Sequence, residues 1–373
     1  MSRLKLGMVG GGQGAFIGAV HRMAARLDGE WDLVAGALSS DPERALASSR
    51  ALGLDDARSY SSFSAMAEAE AARPDGIDAV AIVTPNHVHA DVAIAFLSIG
   101  IHVICDKPLA ATEAQAQDIA QAVKASGKCF VLTHNYTGYP LIRHARELVK
   151  SGALGDIRVV QVEYAQDWLA EEVSNKQADW RTDPSKSGAG GCVGDIGTHA
   201  YNLASFVTGL KATSLSADLS TFVDGRRLDD NAQVMLRFEG GAKGMLWSSQ
   251  VAVGNENALK LRVYGSKGGI EWAQENPNVM SFTRLGEPKQ LLTRGGPGTT
   301  AEDTRIPPGH PEGYLEAFGT IYSDAALFIR AHDRDARDTQ GSLLPDIHDG
   351  LAGMAFVTAC VDSSSKDAAW VSL

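Results

Sequence analysis

The sequence predicts an α/β protein, with an N-terminal parallel sheet followed by an α+β domain built on a mainly antiparallel sheet. Three observations predict it. Before residue 135, five apolar runs alternate with helical patterns. The first run ends in a glycine cluster. After residue 135, several runs alternate apolar and polar residues, which suits a sheet with one covered face.

The first run is residues 4–9, and a helical pattern follows over 16–27. The next run, 32–38, precedes a helical stretch at 42–52. Residues 77–83 are almost purely β-branched and alanine, as a strand buried on both faces requires. Helix 91–99, strand 101–105, helix 113–126 and strand 129–133 complete the series. Strands separated by helices imply a parallel sheet with right-handed crossovers.

A helix over 141–150 opens the second part. Strands are expected at 157–164, 213–223, 231–238, 243–250, 258–264 and 268–272, then helices at 314–330 and 345–360. Residues 275–310, rich in Gly, Pro and polar side chains, read as long surface loops. The expected domains are residues 1–135 and residues 136–373.

Composition narrows the function classes. With 44% hydrophobic and 21% charged residues, the 373-residue chain is neither disordered nor a coiled coil. A net charge of −11 disfavours nonspecific binding to nucleic acid or anionic membranes. Cys105, Cys129, Cys192 and Cys360 are scattered, with no C-x-x-C pair, so neither a zinc cage nor a disulfide framework is implied. The N-terminus lacks signal-peptide features and no 18-residue apolar run occurs. A cytoplasmic protein with no nucleic-acid or membrane partner is expected.

Gly10-Gly11-Gly12-Gln13-Gly14-Ala15 fits G-x-G-x-x-A between a strand and a helix. The first glycine permits the turn, the second lets backbone approach a pyrophosphate, and the small third residue lets helix and strand pack closely. The helix N-terminus then holds the phosphates. This is a dinucleotide-binding Rossmann pattern.

The second strand ends Leu38-Ser39-Ser40-Asp41-Pro42-Glu43-Arg44, with Ser39 where an NAD-binding acid is expected. Two serines and Arg44 could hold a 2′-phosphate. Asp41 could reach a ribose or cap the next helix. NAD is the expected cofactor and NADP stays open.

The third strand ends in Thr84-Pro85-Asn86-His87-Val88-His89, at the edge where ligands bind. His87 and His89 lack a carboxylate or cysteine partner at ligand spacing, so no metal is expected. The fourth strand ends in Cys105-Asp106-Lys107-Pro108. Lysine beside a cationic nicotinamide would have a lowered pKa and could share in proton transfer; alternatively it is a surface lysine before a helix. Further on, Gly188 to Asn202 contains Asp195 and His199 four residues apart. On a helix both face one side. A carboxylate can orient an imidazole and raise its basicity, which suits a general base; alternatively Asp195 caps the helix and His199 is packed within it.

These motifs, in this order and across nearly the whole chain, resemble the Gfo/Idh/MocA oxidoreductases. The resemblance rests on the glycine loop, Thr84-Pro85-Asn86, Asp106-Lys107-Pro108 in place of the family's Glu-Lys-Pro, and Asp195-x-x-x-His199. It implies Lys107, Asp195 and His199 as catalytic residues and a cis peptide bond before Pro108. It also implies an open C-terminal sheet that joins subunits into a dimer or tetramer. Expected cofactor contacts are Gly10, Gly12, Gln13, Gly14, Ala15, Phe16, Ser39, Ser40, Arg44, Thr84, Pro85, Asn86, His89, Asp106, Lys107, Asn135, Trp180 and Arg181. Expected substrate contacts are Lys107, Tyr136, Asp167, Trp168, Asp195, His199, Asn202 and His310. Asn202 stands where many members carry Asp or Asn.

The implied reaction oxidises a secondary hydroxyl of a cyclitol or pyranose, with inositol first. His199 is the general base, Lys107 steadies the oxygen and Asp195 holds a hydroxyl or the imidazole. Two other readings remain: a nicotinamide-binding sensor without turnover, and a sugar–sugar oxidoreductase whose cofactor never leaves.

Overall fold

In the structure, a computed structural model describing residues 2–300, 302–334 and 343–373, the five apolar runs form a parallel sheet. Strands β1 (Leu4–Gly10), β2 (Trp31–Ala37), β3 (Ala79–Val83), β4 (His102–Cys105) and β5 (Phe130–Leu132) lie in the order β2-β1-β3-β4-β5. All five residues of β3 are buried. Burying each large apolar side chain contributes about 1.5–3 kcal/mol. Between the strands run helices α1 (Phe16–Leu27), α2 (Pro42–Ala51), α3 (Phe63–Ala72), α4 (His89–Ser98) and α5 (Glu113–Ser126). Helix α3 was not foreseen: FSAMAEAEAA is mostly alanine and glutamate, so it carries little apolar stripe, and Ser62 caps its start. Helix α2 starts at Asp41, whose carboxylate accepts from Arg44 N, with Pro42 in the first turn.

The second sheet has nine strands in the order β13-β12-β11-β10-β6-β9-β8-β7-β14. Helix α6 (Pro140–Lys150) leads into β6 (Ile157–Ala165). Then come the short helices α7 (Lys176–Arg181) and α8 (Pro184–Ser187), a π-helical turn (Val193–Gly197) and α9 (Thr198–Thr208). Strands β7 (Ala212–Ser220), β8 (Asn231–Phe238), β9 (Lys243–Ser249), β10 (Ala258–Gly265) and β11 (Gly268–Ala273) follow. The chain continues through β12 (Val279–Arg284), β13 (Gln290–Thr293), α10 (Tyr314–His332), α11 (Ile347–Ser365) and β14 (Val371–Ser372). β8 alternates buried and outward residues along its length. The pair β6·β9 is parallel, inside a sheet whose other recorded pairs are antiparallel.

Two expectations need correction. β12 and β13 form a hairpin where loops were expected: Met280 and Phe282 point into the core while polar neighbours face out, a strand pattern masked by flanking turn residues. The domain division also differs. Residues 1–135 and 315–351 form one unit, and residues 136–314 and 352–373 the other. Helix α10 is drawn into the first unit by buried contacts: the Trp31 indole donates to Tyr322 O (2.9 Å), and His21 Nδ1 meets the Tyr322 hydroxyl (2.8 Å). A helical pattern alone does not say which sheet it covers. No helix among the described residues is long and apolar enough to cross a membrane.

Candidate active site

In the first unit, β1 lies between β2 and β3, where the strand order reverses, and ligands of such sheets bind at that switch point. Gly10 and Gly11 there have φ of 81° and 72°. A Cβ on Gly10 would lie 2.9 Å from Val83 O, and one on Gly12 would lie 2.6 Å from Leu38 O. The turn is therefore hemmed by the ends of both neighbouring strands. Gln13 N donates to Ser48 Oγ (3.2 Å), while Gly14 is open on its side-chain side. No side chain caps α1 at Ala15, leaving its first amides to a ligand. Over the turn lies a depression of about 450 Å³ whose lining includes Gly12, Gln13, Phe16, Arg22 and Ser48.

The close helix–strand contact falls elsewhere than expected. Ala15 is the N-cap, and the tight position is Gly18, whose Cβ would come within 2.4 Å of Gly11 Cα. At the end of β2, Ser39 Oγ accepts from Asp41 N (3.2 Å). Asp41 resolves as the cap of α2, and Ser40 and Arg44 are exposed beside it.

Two groups at the ligand edge fit a polar cofactor. Thr84 Oγ1 and Asn135 Nδ2 are buried with no hydrogen-bond partner among the described residues. Buried polar atoms of this kind call for one. Pro85 begins the turn after β3, and Asn86 is buried within it. His89 acts as an internal strap at this edge. It is fully buried, with Nε2 on Thr84 O and Nδ1 on Pro108 O, both 2.9 Å away. Burial holds its pKa below the ordinary value.

Asp106 likewise turns its carboxylate inward. Its Oδ1 accepts from Lys107 N and Thr133 Oγ1, both at 2.9 Å, and lies 3.8 Å from His21 Nε2. Burial pushes this carboxyl up, but His21, Lys107 and His89 outweigh it and bring it to about 2. The Lys107–Pro108 peptide is cis, as the resemblance implied. Burial, helped by the Lys107 charge, lowers neighbouring His134 to about 3.

In the second unit, Asp195 and His199 lie on consecutive turns, but the first turn is π-helical rather than α-helical. Such turns are frequent at functional sites. Asp195 Oδ2 accepts from Arg181 Nε (3.2 Å) and Gln250 Nε2 (2.9 Å). Arg181, expected at the cofactor, is thus tied to Asp195, with its guanidinium 4.3 Å over the Trp180 ring and 6.0 Å from the Trp168 ring.

The His199 ring meets Tyr136 edge-on, with centroids 4.8 Å apart. Tyr136 and Tyr164 share a hydroxyl contact of 2.5 Å. Tyr164 donates to Asn257 Oδ1 (2.7 Å), as does Gln166 Nε2 (2.8 Å), and Gln166 Oε1 accepts from Trp168 Nε1 (3.0 Å). Burial keeps both phenols above the ordinary tyrosine range, so they act as neutral donors.

Asn202 is buried in α9, one turn beyond His199. Asp167 accepts from Gly254 N (2.9 Å), bracing a loop. His310 presents an exposed ring, and its carbonyl accepts from Arg294 Nη2 (2.5 Å) within a buried Arg294–Glu312 cluster.

Sequence reading missed Tyr164, Gln166, Gln250 and Asn257. All four lie at one sheet edge, because Ala165 pairs with both Ser249 and Ala258. No linear motif joins them.

His102, Cys129 and His332 also converge, with potential ligand atoms within 4.8 Å of one another. They sit at the opposite end of the strands from the glycine turn, since His102 begins β4. His102 Nδ1 accepts from Cys129 N (3.0 Å), and its Nε2 meets Asp333 (3.2 Å). His332 meets Asp333 (3.0 Å) and Gly127 O (2.7 Å). All four ring nitrogens thus have protein partners.

A glycine turn at the switch point, with buried polar donors at the same edge, defines a dinucleotide-binding site of the Rossmann class. Comparison with known proteins agrees. Residues 4–136 match the family model described as "Oxidoreductase family, NAD-binding Rossmann fold", and residues 142–271 match "GFO/IDH/MocA C-terminal domain". An oxidoreductase structure from Sinorhizobium meliloti is 54% identical over 100% of both chains, with a TM-score of 0.90. An inositol dehydrogenase homolog from Azotobacter vinelandii, complexed with NAD+, is 37% identical over 100% of this chain and 98% of its own, with a TM-score of 0.97. That homolog is also solved with NADH and myo-inositol. Levoglucosan dehydrogenase from Pseudarthrobacter phenanthrenivorans is 29% identical over 100% of this chain and 98% of its own. The chain belongs to the Gfo/Idh/MocA oxidoreductase family.

Proposed function

We propose that this protein is an NAD-dependent dehydrogenase that oxidises a secondary hydroxyl of a cyclitol or pyranose, with inositol the first candidate and NADP a possible substitute for NAD. The observation that carries the reading is the Asp195 carboxylate, fixed by Arg181 and Gln250 one turn before His199. The homolog crystallised with NADH and myo-inositol supports inositol, and the levoglucosan dehydrogenase supports pyranoses and anhydrosugars as the alternatives.

His199 removes the hydroxyl proton, with its ring held edge-on by Tyr136. Lys107 hydrogen-bonds the same oxygen and steadies its developing charge. Asp195 accepts from a neighbouring hydroxyl. Tyr136, Trp168 and Asn202 contribute further contacts, the indole face suiting the C–H side of a ring. Gly10, Gly12 and the first amides of α1 would hold the pyrophosphate of NAD, and Thr84 and Asn135 would supply polar contacts at the same edge. The bound nicotinamide would supply the acceptor for the hydride of the carbinol carbon.

The outer face of the nine-stranded sheet joins subunits into a dimer or tetramer, since Met235 and Met245 pair there with 52% and 48% of their surface exposed. Four buried free cysteines suit the reducing cytoplasm.

The deciding assay follows reduced nicotinamide with purified protein against inositols, aldoses and anhydrosugars, using NAD and NADP in parallel. Strongest NAD reduction with an inositol is expected. Silence on every polyol with both cofactors overturns the reading.

A further inference from the structure

Asp229 immediately precedes Asp230 and β8, and it is buried far along the chain from Asp195. Its carboxylate nevertheless grips the turn that leads to Asp195. Oδ1 accepts from Gly191 N (2.6 Å), and Oδ2 accepts from Val193 N (2.8 Å) and the Cys192 thiol (3.1 Å). Its own carbonyl accepts from Cys192 N (2.9 Å). The fit leaves no slack, because a Cβ on Gly191 would lie 2.0 Å from Asp229 O. Gly191 O in turn accepts from Asp195 N (2.9 Å).

The next residue secures the other side of Asp195. Asp230 O accepts from Gln250 N (2.8 Å), and the Gln250 amide donates to the Asp195 carboxylate. Asp230 is itself anchored by Phe222 N, Val223 N and Arg226. Two adjacent acids thus fix the backbone of Asp195 through one route and its side-chain partner through another. A generic cap needs one backbone N–H; this one carboxylate takes two and a thiol.

We propose that Asp229 is a positioning residue of the reaction: it clamps the Gly191–Val193 turn so that the π-helical turn presents Asp195 and His199 in one fixed register. The proposal rests on the dehydrogenase reading above. Asp229 touches neither substrate nor cofactor in this role. Burial raises its pKa against the pull of its three donors, as expected of an acid enclosed for its geometry.

The test compares Asp229→Ala and Asp229→Asn in the full chain. It measures kcat and KM with the best polyol substrate, NAD affinity by fluorescence, and amide hydrogen exchange over residues 191–199. In Asp229→Ala, kcat should fall about 100-fold while NAD affinity stays within about twofold. Exchange over 191–199 should accelerate while β7 and β10 keep their protection. Asp229→Asn retains one carbonyl acceptor and should recover part of kcat. Folded variants with wild-type kcat, or unchanged exchange over 191–199, would overturn the proposal. If the alanine variant fails to fold, the asparagine variant decides by the same readouts. A wild-type protein silent on all polyols would sink the dehydrogenase reading instead, and the exchange experiment would still decide whether Asp229 holds the turn.

Discussion

Arg181 and Asp195, 14 residues apart, are joined by a hydrogen bond of 3.2 Å from the guanidinium Nε to the carboxylate Oδ2. The same oxygen takes the Gln250 amide at 2.9 Å. That acid oxygen is committed to the protein, which fixes the orientation of the carboxylate.

Arg181→Met should therefore raise the KM for polyol about 10- to 150-fold, the loss expected for one charge-assisted hydrogen bond of about 1.5–3 kcal/mol. Arg181→Lys should not restore it, because a point charge cannot both stack on Trp180 and donate through Nε. Steady-state kinetics on both variants checks this, and a wild-type KM in either would remove Arg181 from the site.

His199→Ala should lower kcat about 100-fold or more while NAD affinity survives, as loss of a general base requires. Lys107→Ala should also cripple turnover. Near-normal rates for Lys107→Ala would mark it as a surface lysine. Parallel turnover and NAD-binding titrations separate these outcomes.

Gly18→Ala adds a methyl 2.4 Å from Gly11 Cα. Overpacking of this kind costs about 1–3 kcal/mol. The variant should lose thermal stability and bind NAD more weakly, since the displaced backbone is the glycine turn. Ala15→Gly should leave both unchanged. Calorimetry with and without NAD distinguishes the two positions.

Thr84→Val and Asn135→Leu remove buried polar atoms that lack a partner among the described residues. Without ligand these variants should be as stable as wild type or more so, because an unsatisfied group disappears. Their NAD affinity should drop several-fold. Isothermal titration beside urea unfolding reads both halves.

Acid stability should be governed by buried imidazoles. Burial lowers His134 to about 3 and His102 to about 4, below the ordinary 6.5. The unfolded chain then binds more protons across that window. The stability these groups contribute is complete above pH 6.5 and is lost as pH falls toward 4 and 3. One such group gives a slope of about 1.4 kcal/mol per pH unit. His134→Gln should flatten the urea midpoint between pH 6 and 4; an unaltered slope would show that His134 does not control it.

Much of the first unit was legible because its signals are local. β3 is buried on both faces, so its composition alone declares it, and the glycine turn adjoins its own strand and helix. Asp195 and His199 were legible for the same reason, being four residues apart. Their supports were not. Gln250 and Asn257 reach one edge through the parallel β6·β9 pair and the antiparallel β6·β10 pair, and a register of this kind is a property of the closed sheet. The strapping of His89 was not legible, because a histidine beside a cleft and one strapped beneath it look identical in sequence. Gly18 was missed because the motif directs attention to Ala15, three residues earlier, where the backbone has room.

The return of residues 315–351 to the first unit has a biosynthetic consequence. Trp31, His21 and Glu30 are synthesised well before Tyr322 and Arg330, which complete their packing. A ribosome must add the 291 residues from Trp31 to Tyr322 before the nucleotide-binding half can close. A fragment cut after residue 135 would leave the indole of Trp31 bare, so this half is poorly suited to being grafted or expressed alone, and the nascent chain has reason to need a chaperone.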